Sequence, residues 1–205
     1  MDKRRTTGKL LIKLQKHNGW GCSHSIHVSH YAVEMGRCLG LDEREINALF
    51  TAALLHDIGK LFIPVKILNK AGSLTRAEYR LVKWHTWFGY LLLKVLGYPE
   101  MICRAVENHH ERYDGNGYHK KKDAGLFAEI ISVADAYDAM KNCRPYREKM
   151  EEMEIFCAMA TGSGKQFNPD VWEVMSRMIC SQKQHMCVAK EADEGHTNPL
   201  VLGTT

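Results

Sequence analysis

Several classes of protein are excluded by what this sequence lacks. Its 205 residues include only five prolines and no apolar run of the roughly 20 residues that a membrane-spanning helix needs. The longest apolar stretch, near residues 87–96, is interrupted by Lys94. Near the N-terminus, the apolar stretch of residues 10–12 is too short for a signal peptide. We therefore expect a soluble protein with no secretory leader and no membrane span.

The cysteines are also not arranged for a structural role. The seven of them form no Cys-x-x-Cys pair, and their odd number, without a secretory leader, indicates reduced thiols and a cytoplasmic location. A structural zinc site made of Cys180, His185 and Cys187 is disfavoured, because the spacing matches no common zinc motif. The chain is long enough to fold around its own core without such cross-links.

Charge is nearly balanced, with a formal net charge of +4. The one basic run, Lys120-Lys121-Lys122, is typical of a solvated loop. Its position close to His109-His110 leaves open a second role, which is to attract an anionic substrate. No groove-reading motif accompanies the charge, so we expect no binding to duplex nucleic acid.

Apolar residues recur at helical spacing through most of the chain and predict an all-α domain. Asp42 is the expected N-cap of one helix, Thr75 and Glu78 form a predicted capping box, and Asn168-Pro169 is typical of a helix start. Gly40, Gly59 and Gly97 lie where helices should end. The predicted helices cover residues 25–39, 43–56, 75–82, 84–96, 99–110, 125–140, 148–160 and 169–180.

The polar ends of the chain show little periodicity. We expect a flexible N-terminal arm over residues 1–16, one functional domain over residues 17–180, and a C-terminal tail over residues 181–205. No internal repeat or low-complexity segment divides the chain further.

Histidines and aspartates stand at the ends of apolar helical runs. Ala52-Ala53-Leu54-Leu55 leads into His56-Asp57, and residues 130–134 lead into Asp135. A lone histidine is usually an exposed residue or one with an ordinary hydrogen bond. An aspartate that follows a buried run is costly unless it is paired, hydrogen-bonded or bound to a metal. Imidazole and carboxylate are ligands for Zn²⁺, Fe and Mn, so these positions predict a metal site, and the adjacent pairs favour two metals.

Read in order, the motifs form a longer series. It comprises His24-Ser25-x-x-Val28, His56-Asp57-Ile58-Gly59-Lys60, His85, His109-His110-Glu111-Arg112-Tyr113-Asp114-Gly115-Asn116-Gly117-Tyr118, Val133-Ala134-Asp135-Ala136-Tyr137-Asp138, Arg144-Pro145-Tyr146-Arg147 and Gly164-Lys165-Gln166-Phe167-Asn168-Pro169. Over residues 20–180 this series resembles the HD-GYP family, a branch of the HD phosphohydrolase superfamily.

The resemblance implies a helical HD-domain bundle around a binuclear metal centre. It implies an enzyme that hydrolyses the 3′,5′-phosphodiester bonds of cyclic di-GMP to pGpG or GMP through a metal-bridging hydroxide. Asp57 would bridge two divalent ions, for which the family implies iron or manganese; the ligand types alone would also accept zinc. The positions that match metal ligands are His24, His56, Asp57, His85, His109, His110 and Asp135.

The same resemblance assigns roles to polar residues around the centre. Lys60 would meet a phosphate oxygen, and Asp138 would hold Lys60 by a charge-assisted hydrogen bond. Arg144 and Arg147 match positions that contact substrate phosphates, and Tyr118 matches the tyrosine of the family's Gly-Tyr-Pro signature. The structural alternatives are a surface salt bridge for each arginine and an ordinary turn for Tyr118.

Two departures from the family pattern bear on function. His119 replaces the signature proline, and this replacement should loosen the loop that carries Tyr118. It should thereby affect substrate choice and the binding of any protein partner through residues 115–119. Trp20 stands where some members carry a glutamate that helps to hold a third metal, so we expect two metals. His27 and His30 are interpreted as helix-surface residues rather than ligands.

The same residues are also compatible with two alternative functions. One is hydrolysis of another cyclic dinucleotide or of a nucleotide, since the arginines favour more than one phosphate but do not identify the bases. The other is a signalling module that binds a nucleotide without cleaving it, although all the matched ligand positions are filled.

Overall fold

The computed structural model describes residues 2–18, 21–142 and 150–194, and side chains within them except those of residues 18, 21 and 182–194. Helices dominate this part of the chain, and the described residues contain no strand beyond an isolated bridge between Ser163 and Phe167. The predicted all-α class is therefore confirmed. The helices are α1 (Lys3–Asn18), α2 (Gly21–Cys38), α3 (Glu43–Leu55), α4 (Val65–Leu68), α5 (Arg76–Lys83), α6 (His85–Val95), α7 (Glu100–Asn108), α8 (Leu126–Lys141), α9 (Glu152–Ala160) and α10 (Pro169–Glu194), with a short 3-10 helix at Ile58–Phe62.

Local sequence signals set several of the helix ends. The Asp42 side chain accepts a hydrogen bond from the backbone N–H of Glu45, and Thr75 with Glu78 forms the predicted capping box. Asn168 accepts a hydrogen bond from the N–H of Asp170 at the start of α10. Such side-chain caps pair backbone groups that the first helical turn leaves unpaired.

The glycines behave in two ways. Gly40 and Gly97 follow α2 and α6 with φ angles of 80° and 71°, a left-handed conformation that glycine adopts without strain. The prediction for Gly59 is wrong, because α3 ends at Leu55 and Gly59 lies inside the 3-10 helix. A Cβ built on Gly59 would lie 1.8 Å from the carbonyl oxygen of His85. Glycine is therefore required there so that two backbone segments can touch.

A single apolar core holds the helices together. Residues 52–55 and residues 130, 131, 133 and 134, the apolar runs noted in the sequence, are all buried in it. Each fully buried Leu or Ile side chain contributes about 1.5–3 kcal/mol relative to an exposed one. The largest fully buried side chains are Tyr137, Leu14, Met35, Leu49, Leu55, Ile58, Ile63, Leu93, Ile130, Ile131, Ile155 and Met159.

The prediction of a flexible arm over residues 1–16 is wrong for most of this segment. Residues 3–18 form α1, in which Leu10 and Leu14 are buried in the core. Leu10 and Leu14 are four residues apart, which is helical spacing, but they lie in a segment with many lysines and arginines. At the other end of the domain, α10 continues beyond residue 180 to Glu194. Within the described residues, no helix is long and apolar enough to span a membrane.

Candidate metal centre

The fold brings the predicted ligand positions together from five separate places in the chain. His24 lies on α2, His56-Asp57 follows α3, His85 begins α6, His109-His110 follows α7, and Asp135 lies on α8. Their ligand atoms form two groups, and within each group these atoms lie no more than 4.8 Å apart. One group is Asp57, His85, His109 and His110; the other is His24, His56 and Asp135.

Asp57 lies between the two groups. Its Oδ1 is 3.4 Å from Nε2 of His85, a member of its own group. Its Oδ2 is 3.4 Å from Nε2 of His56 and 4.0 Å from Nε2 of His24, which both belong to the other group. A carboxylate with one oxygen towards each group is the arrangement that a bridging ligand requires.

Backbone hydrogen bonds orient three of the histidines in the same way. Nδ1 of His56, His85 and His109 lies 2.7, 2.7 and 2.8 Å from the carbonyl oxygen three residues earlier in the chain. A carbonyl can only accept, so Nδ1 carries the hydrogen and Nε2 is left with a free lone pair. This pattern fixes the tautomer of a metal-binding histidine, with Nε2 as the ligand atom.

Burial keeps the imidazoles of one group neutral. It lowers the pKa of His85 and that of His110 to about 3, and it takes the pKa of His109 well below its usual value. Neutral imidazole is the form that coordinates a metal. Burial alone would raise the pKa of Asp57, but the nearby charge of Lys60 and the interaction with the His56 imidazole outweigh it, and the pKa lies well below its usual value.

His24 is held between two carboxylates. Its Nδ1 is 2.6 Å from Oδ2 of Asp138, and its Nε2 is 3.1 Å from Oδ1 of Asp135. Burial lowers the pKa of His24, but the hydrogen bonds with Asp135 and Asp138 outweigh burial and raise this pKa to about 9. The contact of Nδ1 with Asp138 leaves Nε2 of His24 directed at Asp135. A cation bound between Nε2 and Asp135 would take the place of the proton on Nε2.

Two unpaired atoms provide a test of whether these residues fit a metal. Oδ1 of Asp57 and Nε2 of His56 are buried and have no hydrogen-bond partner among the described residues. A buried polar atom without a partner costs about 1–3 kcal/mol, and more when it is charged. Both atoms are metal-ligand types, and each belongs to one of the two groups. The residues therefore fit divalent cations.

Asp138 departs from its predicted role. Its carboxylate accepts hydrogen bonds from His24 and from the side chain of Asn142, and Oδ1 is 3.2 Å from Nδ1 of His27. Lys60 instead donates to Oδ2 of Asp57 at 2.6 Å. The prediction that Asp138 holds Lys60 is thus replaced by a role in orienting His24. The spacing of Asp135 and Asp138 placed both carboxylates on one helical face but could not identify the partner of either.

Other histidines among the described residues lie outside the two groups. His27 and His30 are exposed on α2, as predicted. His17 contacts the carbonyl oxygen of Ile63. Trp20, Arg144 and Arg147 lie outside the described residues, so the roles assigned to the two arginines stay predictions.

Tyr118 lies against the site. Its ring centroid is 4.6 Å from that of His110, and it also faces the ring of Tyr79 at 6.3 Å. Burial, followed by the effect of Tyr79, raises the pKa of the Tyr118 hydroxyl, which therefore stays protonated. A cavity of about 240 Å³ opens beside these rings. It is lined by Tyr79, Lys83, His110, Glu111, Arg112, Asn116, Gly117, Tyr118, Ser132 and Gln166.

Glu111 fixes the loop that carries Tyr118, a role that the sequence analysis missed. Its buried carboxylate accepts the backbone N–H of His119 at 2.7 Å and that of Lys121 at 2.9 Å. Lys120, between them, has a φ angle of 56°, a left-handed conformation that non-glycine residues adopt at a cost. A Cβ on Gly117 would lie 2.5 Å from Cα of Glu111, so only glycine allows this close approach.

His119 tightens this loop, contrary to the predicted loosening. Its backbone N–H donates to Glu111, a hydrogen bond that proline cannot make. Its Nε2 lies 2.8 Å from the hydroxyl of Thr86, the residue that follows His85. The loop is thereby tied to α6 as well as to the segment after His110.

We expect His119→Pro to destabilise the protein by about 1–3 kcal/mol, because it leaves a buried carboxylate oxygen of Glu111 without its donor. His119→Ala retains the backbone N–H and loses only the contact with Thr86, so its effect should be smaller. Urea unfolding of the two variants would measure the difference. Equal stability of His119→Pro and the parent protein would rule out this account of the loop.

With the site described, its family can be identified. The sequence profile of the HD domain family matches residues 9–171. This chain belongs to the HD domain family. The doublet His56-Asp57 contributes one residue to each of the two ligand groups. Family and geometry together support divalent-metal binding by this HD domain.

Curated relatives narrow the branch of the family. A cyclic di-GMP phosphodiesterase of Thermotoga maritima is 34% identical over 160 residues, covering 76% of this chain and 44% of the relative. The cyclic di-GMP phosphodiesterase response regulator RpfG of Xanthomonas campestris is 32% identical over 190 residues, covering 87% and 50%. A 3′3′-cGAMP-specific phosphodiesterase of Vibrio cholerae is 34% identical over 139 residues, covering 66% and 32%. The predicted resemblance to the HD-GYP family is thus confirmed. The chain spans half or less of the length of each of these relatives.

Solved structures share the fold. An HDG"Y"P protein of Bdellovibrio bacteriovorus superposes with a TM-score of 0.64 at 20% identity, covering 78% of this chain and 52% of that protein. The HD domain of the Listeria monocytogenes phosphodiesterase PgpH, in complex with cyclic di-AMP, gives 0.63 at 16% identity and covers 95% and 100%. These matches confirm the HD-type helical bundle.

Proposed function

We propose that this HD domain is a metal-dependent phosphodiesterase that hydrolyses the 3′,5′-phosphodiester bonds of cyclic di-GMP. The observation that carries the proposal is the position of Asp57, with one carboxylate oxygen towards each of two ligand groups. The names of the relatives support the substrate class, since several are cyclic di-GMP phosphodiesterases.

Two divalent ions, iron or manganese first and zinc as an alternative, are proposed for this site. One would be held by His85, His109 and His110, the other by His24, His56 and Asp135, with Asp57 between them. When bound, such ions neutralise charge on phosphoryl oxygens and activate water at neutral pH.

The protein's own groups would orient the substrate and hold protons. Lys60, whose Nζ lies 2.6 Å from Asp57, is only partly buried and can also donate to a phosphate oxygen. Asp138 keeps the Nδ1–H of His24 directed away from the centre, so it is proposed as a positioning residue for His24. Tyr118, whose hydroxyl stays protonated, can donate to the substrate from the wall of the cavity.

The remaining assignments are predictions on the same basis. Arg144 and Arg147 would contact the substrate phosphates, and the end product would be pGpG or GMP. A protein partner at residues 115–119 and a cytoplasmic location also stay predictions. The second candidate substrate is 3′3′-cGAMP, because three relatives of 28–34% identity are specific for it. A non-hydrolytic nucleotide-binding module is the other alternative.

The test is anaerobic hydrolysis by protein loaded in turn with Fe²⁺, Mn²⁺ and Zn²⁺, with cyclic di-GMP, 3′3′-cGAMP and cyclic di-AMP as substrates. We expect metal-dependent turnover of cyclic di-GMP that a chelator abolishes and added metal restores. Chromatography would separate pGpG from GMP. Binding without turnover for every metal would favour the module, and preferential turnover of 3′3′-cGAMP would favour the second substrate.

A further inference from the structure

The cavity beside His110 is built differently from the two ligand groups. It lies between Tyr79 and Lys83 of α5, the loop around Asn116, Gly117 and Tyr118, and residues 132 and 166. Its lining is mostly polar. Of the candidate ligand positions, only His110 is among the described residues that line it. The cavity therefore begins at the metal centre and extends away from it.

Lys83 is the cation available to a ligand in this cavity. Its Nζ lies 5.0 Å from the ring centroid of Tyr79 and 5.0 Å from that of Tyr118. No carboxylate among the described residues forms an ion pair with it. The other cation, Arg112, makes two hydrogen bonds to Asp114 at 3.0 and 2.8 Å, so its charge is already matched.

The aromatic rings hold the ammonium in place without neutralising it. A cation–π contact attracts the ammonium to the ring without cancelling its charge, so the lysine can still donate to an anion. Tyr118 is in turn fixed by the Glu111 loop and by its contact with the ring of His110. The ammonium is thus positioned beside the metal centre before any ligand arrives.

We propose that Lys83 forms a subsite for the second, non-reacting phosphate of a cyclic dinucleotide. This inference rests on the proposed function, because it assumes that the first phosphate lies at the two ligand groups. A cyclic dinucleotide carries two phosphodiesters in one small ring, so the second must lie close to the first. The cavity that starts at His110 provides the space, and Lys83 provides the opposite charge.

The test compares two substrates in metal-loaded protein. Cyclic di-GMP has a second phosphate, whereas bis(p-nitrophenyl) phosphate is a diester with only one. For Lys83→Met, which keeps an unbranched side chain of similar length beside both rings, we expect KM for cyclic di-GMP to rise at least tenfold. The ratio of kcat/KM for cyclic di-GMP to that for the single diester should fall by the same factor, and Lys83→Arg should recover part of it.

Arg80→Met is the matched control, because Arg80 is an exposed cation on the same helix, outside the lining of the cavity. Its ratio should equal that of the parent protein. If Lys83→Met does not fold, as judged by its melting transition, Lys83→Gln replaces it. A parent protein inactive on both substrates would overturn the proposed function. A parent protein active on both, with an unchanged ratio in the folded Lys83 variant, would overturn the subsite alone.

Discussion

Asp57→Ala is expected to abolish the binding of both metal ions and to lower turnover by more than 100-fold. Losing a partner that only orients a ligand costs about 10–100-fold in metal affinity or activity, and Asp57 has an oxygen towards each group. The measurements are metal content per chain by mass spectrometry and the rate of cyclic di-GMP hydrolysis. Circular dichroism would verify that the variant remains folded.

Asp135→Ala is the matched variant, because Asp135 belongs to one group only. It should lose one ion and retain the other. The bridging role of Asp57 predicts this difference in stoichiometry, which a purely structural role of either aspartate would not produce. Two ions per chain in Asp57→Ala would contradict the assignment.

Gly59→Ala should cost about 3 kcal/mol or more in the free energy of unfolding. Overpacking a core usually costs about 1–3 kcal/mol, and much of that is relieved by side-chain rotation. Here the new Cβ would lie 1.8 Å from the His85 carbonyl oxygen and 2.6 Å from the backbone nitrogen of Gly89. Backbone atoms cannot rotate away, so the 3-10 helix and α6 must separate. This movement would also carry Asp57 away from His85.

Gly8→Ala is the control for Gly59→Ala. Gly8 lies in α1, and a Cβ built on it meets nothing within 4 Å. Alanine is favoured over glycine inside a helix by about 1 kcal/mol, so this variant should be slightly more stable than the parent protein. Thermal and urea unfolding would compare the two. A Gly59→Ala protein as stable as the parent protein would show that the two segments do not need their close contact.

Most of the helices, and the candidate ligand positions that the fold brings together, could be predicted from the sequence for a physical reason. Helix formation depends on the local spacing of apolar residues and on caps such as Asp42 and Thr75, and these are contiguous in the chain. Histidines and aspartates that follow buried runs are unusual for the same local reason. The order of the motifs then indicated the HD-GYP family, which the HD-domain profile and the curated relatives together confirm.

Predictions that required a partner from elsewhere in the chain were less successful. We predicted that Asp138 would form a hydrogen bond with Lys60. The packing of α2 against α8 instead makes His24 its partner. The flexible arm was expected because residues 1–16 are mostly polar and show little periodicity, and only the packing of the helices shows that Leu10 and Leu14 are buried.

The loop after His110 shows the same division. The sequence by itself determined that a tyrosine follows two glycines and that a histidine replaces the signature proline. Only the tertiary structure decided that Glu111 accepts the N–H of His119 and that Nζ of Lys83 lies 5.0 Å from the ring centroids of both Tyr79 and Tyr118. Composition and spacing act within a helix or a turn, whereas hydrogen bonds and ring contacts between separate segments depend on how the helices pack.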